Sequence, residues 1–185
     1  MTMFSPATLN TPRLLLRPTR DDDAIALFAM YSDVEFMRYW SFAPMTHIDQ
    51  VHQRIAFVKQ QCAAGEAVEC ALELRATGAM IGTCSLFHGV EKCRRAEIGF
   101  GLSRTHWGQG YIGEALDALI AHAFTELGLN RLEADIDPRN ERSARVLERA
   151  AFVREGLLRE RWIIDGVVSD SALFGLLARE WKRNG

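Results

Sequence analysis

Three glycines, Gly108, Gly110 and Gly113, separate the apolar run Ile98-Gly99-Phe100-Gly101-Leu102 from a long amphipathic stretch that begins at Glu114. Glycines at a strand-to-helix junction let the backbone approach a bulky ligand. They also leave amide N–H groups unpaired at a helix N-terminus, where the macrodipole adds about half a positive charge. Such a turn is a phosphate cradle when a ligand is present and a plain Gly-rich turn when none is. The same glycines spell G-x-G-x-x-G, with Glu133 about 20 residues on, as a dinucleotide fingerprint requires. That fingerprint follows the first strand of a doubly wound sheet, whereas here over a hundred residues precede it. Trp107 and Tyr111 are also bulky for a turn against a pyrophosphate. A phosphate ligand other than a dinucleotide is expected.

Other residues with chemical potential are fewer. Glu97 lies on the strand before the glycines, and Glu160 lies in Arg159-Glu160-Arg161-Trp162. Read locally, Glu97 is one half of a structural pair with an arginine, and Glu160 is a solvent-facing member of a charged strand. Asn140, just after Pro138, is a helix N-cap. Arg139, Arg142, Arg145 and Arg149 recur along that helix, as a solvated face paired with Glu141 and Glu148 or as a phosphate contact. Cys62, Cys70, Cys84 and Cys93 form no C-x-x-C, and neither they nor the five histidines have metal-ligand spacing. No metal site is expected, and the thiols read as buried ones of a reducing cytoplasm.

The elements that position these residues follow from hydrophobic periodicity. The 185 residues are 48% hydrophobic and 25% charged, with a net charge of -2, the balance of one soluble domain with no field to recruit nucleic acid. No apolar run has membrane-spanning length, and the first residues lack a signal peptide's apolar core. Residues 1–10 read as a loose lead-in. Arg13 to Arg17 is a short strand, followed by a capping box from Thr19 and Asp22 and a helix from Asp22 to about Ser32. A turn region, Asp33 to Met45, carries Phe36, Tyr39, Trp40 and Phe42, as core packing or as the wall of an acceptor pocket. Thr46 and Asp49 form a second box before a helix that Gly65 ends. Ala67–Arg75 and Met80–Phe87 form a hairpin through Thr77-Gly78. Arg95–Ser103 is the central strand, and the helix from Glu114 to about Leu127 follows the glycines. Leu129–Ile136 is a strand, Asn140 opens a helix that ends near Ala150, and Phe152–Ile163 and Val167–Leu177 are the last strands. This β-α-α-β-β-β-α-β-α-β-β order fits a mixed α/β class with helices on the faces of one sheet.

Ala96-Glu97-Ile98-Gly99-Phe100, Trp107-Gly108-Gln109-Gly110-Tyr111, Glu114-Ala115 and Asn140-x-x-Ser143 together resemble the GNAT superfamily of acetyl-CoA-dependent N-acetyltransferases. Within it the chain is most similar to the ribosomal-protein N-terminal acetyltransferase branch, the RimJ/RimL type, from Thr11-Pro12-Arg13-Leu14 to Phe174. The resemblance implies a mostly antiparallel sheet of six to seven strands with helices on both faces, splayed at a central parallel pair. It implies acetyl-CoA as co-substrate, held by Phe100, Gly101 and Leu102, by the turn Trp107-Gly108-Gln109-Gly110-Tyr111-Ile112-Gly113, and by Asn140 and Ser143. Trp107 and Ile112 depart from the usual phosphate signature, and Ala151 replaces the Gly that usually precedes Phe152. Leu147 stands where many members carry a tyrosine acid, so the resemblance makes Ser143 the acid candidate.

Acetyl transfer to an amine needs a held donor, a stabilised oxyanion and two proton transfers. A backbone amide in Ile98-Gly99-Phe100-Gly101 is the expected oxyanion donor, with a bulge expected at those glycines. For the base, the resemblance places Glu160 facing the acceptor, while Glu97 could act directly or through water. Deprotonating a lysine-like amine at pH 7 costs about 4–5 kcal/mol, against about 1–1.5 kcal/mol for an α-amine. This favours a protein N-terminal α-amine acceptor, with a polyamine or aminoglycoside as the alternative. A non-catalytic acyl-CoA sensor is the reading from a different class. No cysteine motif suggests an acetyl-enzyme, so direct transfer in a ternary complex is expected. The expected partners are an amine acceptor, no nucleic acid and no membrane, and monomer and homodimer both remain open.

Overall fold

A computed structural model describes residues 3–5 and 7–181. The strands are β1 (Leu9–Asn10), β2 (Leu14–Pro18), β3 (Val68–Leu74), β4 (Met80–Val90), β5 (Arg95–Leu102), β6 (Arg131–Ile136), β7 (Val153–Ile164) and β8 (Val167–Leu177). The helices are α1 (Ala24–Tyr31), α2 (Val34–Met37), α3 (Ile48–Ala64), α4 (Tyr111–Thr125) and α5 (Glu141–Arg149). All eight strands form one sheet in the order β1-β2-β3-β4-β5-β6-β8-β7. Every pairing is antiparallel except β5 with β6. The eighth strand, β1, lies in the segment expected to be a loose lead-in. There Leu9 pairs with Leu16, and Phe4 is buried in the core.

The alternation of β5 divides the interior in two. Ala96, Ile98 and Leu102 pack with Leu116, Leu119 and Ile120 of α4. Gly101 faces the other way, where a Cβ would meet Trp40 at 2.8 Å and Phe36 at 3.0 Å. Those aromatics belong to the second core, built from Leu27, Met30 and Tyr31 of α1 with Val51 and Ile55 of α3. Helices therefore cover both faces, as period-2 strands with two apolar sides require.

The β5–β6 pair sets up the site. It runs only from Arg95 to Glu97, opposite Arg131 to Glu133. Beyond that row β5 stays in register with β4 up to Leu102, while Ala134 to Ile136 stay with β8. The sheet is thus splayed at its parallel pair. The bulge expected in Ile98–Gly101 is not there. It lies in β4, between Phe87 and Val90.

Several local expectations shift by a residue or a turn. Asp23, not Asp22, accepts the Arg20 amide, because the buried Arg17 guanidinium holds Asp23 at 2.7 and 2.8 Å. Gln50, not Asp49, closes the second box, accepting from the amides of Thr46 and His47. Helix α4 starts at Tyr111, a turn early, directly from Gly110. Only Cys70 and Cys84 are buried; Cys62 is half-buried and Cys93 exposed. Among the described residues no helix is long and apolar enough to cross a membrane.

Candidate active site

The cradle is built from two glycines in the left-handed region, Gly108 at φ 75° and Gly110 at φ 80°. The first bond of α4 runs from the Glu114 amide to the Gly110 carbonyl, so the amides of Tyr111, Ile112 and Gly113 have no intrahelical acceptor. No side chain caps this end. A Cβ at Gly108 or Gly113 would meet nothing within 4 Å. Glu114, in the first turn, is drawn aside by the N-terminal strand. Arg13 bonds its carboxylate through Nε at 2.6 Å and through its amide at 2.7 Å, and Thr11 donates to it as well. Partial burial alone would raise the Glu114 carboxyl, but these donors hold it below its ordinary value. Arg13 also bonds the Gln109 carbonyl at 2.9 Å and stacks 4.4 Å from the Tyr111 ring centroid. The turn is thereby strapped to the segment that leads into β2, and its first amides stay unpaired.

From the cradle a cleft of about 1820 Å³ runs into the splay and out on the α1–α3 face. Arg94 accepts from the amides of Asn130 and Arg131 on the β6 side, and Ser103 donates to Ile81 on the β4 side. Strand alternation therefore turns the Phe100 amide into the gap, beyond the last parallel pair. The Trp107 indole closes the end of the gap by donating to the Leu102 carbonyl at 2.6 Å. Across it, Asn140 caps α5, its Oδ1 accepting from the Ser143 amide at 3.1 Å. The Ser143 hydroxyl lines the cleft and bonds no other described residue. Leu147, at the alternative acid position, is fully buried. Of the arginines, Arg145 pairs with Glu141 and Arg139 with Asp137, while Arg142 stacks on Trp107 at 4.5 Å.

Four carboxylates share one face of the sheet: Glu69, Glu97, Glu133 and Asp135, aligned by the pairs Glu69–Ser85, Ser85–Gly99 and Glu97–Glu133. Arg54 takes Glu69, Arg95 and Arg131 take Glu133, and Arg161 takes Asp135. Burial pushes the Glu69 carboxyl up, against the pull of Arg54. Glu97 has no arginine partner among the described residues; its contact is His88, with Nδ1 3.3 Å from Oε1. The arginine pairing expected for Glu97 is replaced by this imidazole.

Phe100, Gly101, Leu102, Trp107, Gly108, Gly110, Tyr111, Ile112, Asn140, Ser143 and Glu97 all line this one cleft. Gln109 and Gly113 do not. Gln109 turns its side chain to the Thr105 carbonyl, and Gly113 sits within the first turn of α4. Glu160 also lies outside. It occupies a bulge of β7 at φ 51°, exposed, its amide bonded to Asp170. Phe36, Trp40 and Phe42 pack around Tyr31 while Tyr39 lies against Arg139, and all four line the cleft. The sequence reading missed the Thr11–Arg13 strap, the Arg54–Glu69 pair and His88. Only Thr11-Pro12-Arg13-Leu14 carried a signal, through its place in the resembling pattern. Among the described residues no group of three or more His, Cys, Asp or Glu could hold a metal ion.

Residues 13–153 match the GNAT acetyltransferase domain family. The uncharacterized N-acetyltransferase p20 of Bacillus licheniformis is 37% identical over 174 residues, 94% of this chain and 98% of that protein. The ribosomal protein uS5-alanine N-acetyltransferase of Escherichia coli is 27% identical, over 94% of this chain and 92% of its own length. Among solved structures, Mycobacterium smegmatis RimJ in complex with CoA-disulfide superposes with a TM-score of 0.86 at 25% identity, over 95% of this chain and 89% of that one. The family match covers most of the chain and the similarity to these acetyltransferases nearly all of it, so this chain belongs to the GNAT acetyltransferase family.

Proposed function

We propose that this enzyme transfers the acetyl group of acetyl-CoA directly to a protein N-terminal α-amine in a ternary complex, in the cytoplasm. One observation carries the reading: a single cleft joins the free amides of α4, the Phe100 amide, Ser143 and Glu97. The residues fit a coenzyme A donor. Left-handed Gly108 and Gly110 with open space at Gly108 and Gly113 suit a pyrophosphate, and the gap between β5 and β6 suits a slender arm. When bound, acetyl-CoA supplies an activated acyl carbon at the splay.

The chain's own groups do the rest. The Phe100 N–H donates to the oxygen that gains charge as the amine adds. Glu97, on the acceptor face at the last paired row, receives the proton that the amine loses, directly or through water. The hydroxyl of Ser143, whose backbone amide the Asn140 cap holds, donates to the departing sulfur. Glu160, outside the cleft, has no role in this scheme. The aromatic wall from Phe36 to Phe42 excludes water from the acceptor side. The relative that acetylates the alanine of uS5 supports an α-amine, as does the smaller cost of deprotonating one.

Thermal shifts with acetyl-CoA, CoA and NAD test the donor: at 100 times its Kd a ligand stabilises the fold by about 2.7 kcal/mol. Both CoA species should stabilise, and NAD should not. Stabilisation by NAD alone would return the site to the dinucleotide reading. An alanine-initiated peptide and spermidine then compete as acceptors, and a higher kcat/KM for spermidine would move the acceptor to small amines. Glu97→Gln should lower kcat about a hundredfold, the scale of a lost general base.

A further inference from the structure

In a regular strand His88 would face away from Glu97, because Phe87 is the residue paired opposite Glu97 and successive side chains alternate. The bulge in β4 overrides this. Two residues, His88 and Gly89, stand against Ala96 alone, and the extra residue re-aims the imidazole onto the acceptor face. His88 adopts φ 49°, a conformation that costs a residue with a Cβ and is tolerated best by Asn, Asp and His. Its ring packs edge-on against Phe87 at 4.8 Å and places Nδ1 3.3 Å from Glu97 Oε1. His88 is otherwise 71% exposed, and Glu97 is 27% exposed, so burial does not force the contact. Gly89 keeps the bulge closed, since a Cβ there would collide with Phe4 at 2.8 Å.

The other three carboxylates on this face are held by guanidinium groups, whose permanent charge favours the ionised form and weakens a base. A neutral imidazole N–H can orient a carboxylate oxygen without adding that charge.

We propose that His88 is a positioning residue for the transfer: its Nδ1, within ionic reach of Oε1 of Glu97 but not aligned as a hydrogen bond in this structure, closes to one when the acceptor binds and turns Oε2 toward the splay. This rests on Glu97 being the base. The proton leaving the acceptor nitrogen ends on Oε2 and passes from there to water, while His88 keeps its own proton.

Acetylation of an alanine-initiated peptide by the full-length enzyme tests the proposal in His88→Ala, His88→Gly and His88→Asn. His88→Ala should lower kcat about tenfold, a part of the range for acid–base assistance, with KM for acetyl-CoA within about twofold of the parent. His88→Gly relieves the backbone but has no donor, so it should remain as slow as His88→Ala. His88→Asn keeps an N–H near the Nδ1 position and accepts positive φ, so it should recover most of the rate. In a Glu97→Gln background the change to alanine should have no further effect. Nitrogen-15 NMR of the enzyme saturated with CoA and the peptide should show a protonated Nδ1 on His88. Wild-type kcat in His88→Ala or His88→Gly, failure of His88→Asn to recover, or an unprotonated Nδ1 overturns the proposal while leaving the base intact. Full activity of Glu97→Gln overturns the base assignment and this proposal together.

Discussion

Helices α4 and α5 both point an N-terminus at the cleft, and they treat it in opposite ways. At α5 the chain supplies its own acceptor: Asn140 Oδ1 takes the Ser143 amide, and the first-turn Glu141 pairs with Arg145. At α4 the N-cap is Gly110, which has no side chain, and the first-turn carboxylate of Glu114 is pulled back onto Thr11 and Arg13. Side-chain caps and anionic ligands compete for the same few N–H groups. A helix end inside a cleft that is left uncapped, with its nearest carboxylate diverted, therefore has N–H groups open to an anion. At the capped end the bond fixes the backbone at Ser143.

The strongest way to break this contrast is Gly110→Ala. At φ 80° a Cβ carries a backbone penalty of about 1–2 kcal/mol, and it would stand 3.4 Å from the Arg13 guanidinium. Rotating the turn out of the left-handed region redirects the free amides, so CoA binding should weaken by tenfold or more, about 1.4 kcal/mol. Calorimetric titration measures it. Unchanged affinity would mean that the end of α4 does not hold the anion.

What the sequence revealed and what it hid divide along the same line. The cradle, central strand and long helix were legible because glycines at a period break and apolar residues at helical spacing are local signals. The splay was legible only through the resemblance. The bulge was assigned to the wrong strand because Gly99 and Gly101 read as bulge formers. Their absent side chains instead make room for Phe87, Trp40 and Phe36, neighbours distant in sequence. Glu160 stands outside the cleft because of a register slip in β7 that no glycine announces. The Arg13–Glu114 strap joins residues 101 positions apart, and the first capping box slipped by one residue because Arg17, buried beneath it, claims Asp23. Most of these misses are tertiary contacts overriding a local preference.

A smaller effect sharpens the comparison from the α5 side. Asn140→Ala removes the cap at a cost of about 1 kcal/mol. For a chain of this size that is a fall in Tm of roughly 2–4 °C. If the cap's task is to hold Ser143, kcat should fall while the CoA dissociation constant moves by less than about threefold. A tenfold loss of CoA affinity would instead show Asn140 contacting the ligand, and α5 would join α4 as a binding end. Asn140→Asp, which keeps the acceptor oxygen, should restore both stability and rate.

The smallest effect concerns the diversion of Glu114. Its carboxyl is held below the ordinary 4.5, with the Thr11 and Arg13 bonds outweighing burial. A carboxyl depressed by folding adds stability that is complete above its unfolded value and is lost as pH falls through its lower folded one. The strap should therefore stabilise the enzyme at neutral pH and fail below about pH 4.5. Because Arg13 is partly exposed, the contribution is only about 0.5 kcal/mol. Glu114→Gln should lower Tm by a degree or two at pH 7 and leave it nearly unchanged at pH 3.5. Glu69 titrates with the opposite sign. Burial raises its carboxyl, so its share of stability declines as pH rises above 4.5. A Tm difference for Glu114→Gln that persists at pH 3.5 would mean that the strap acts through packing alone. In that case the diverted carboxylate would not be what keeps the amides of α4 free, and CoA affinity should be unaffected by the substitution.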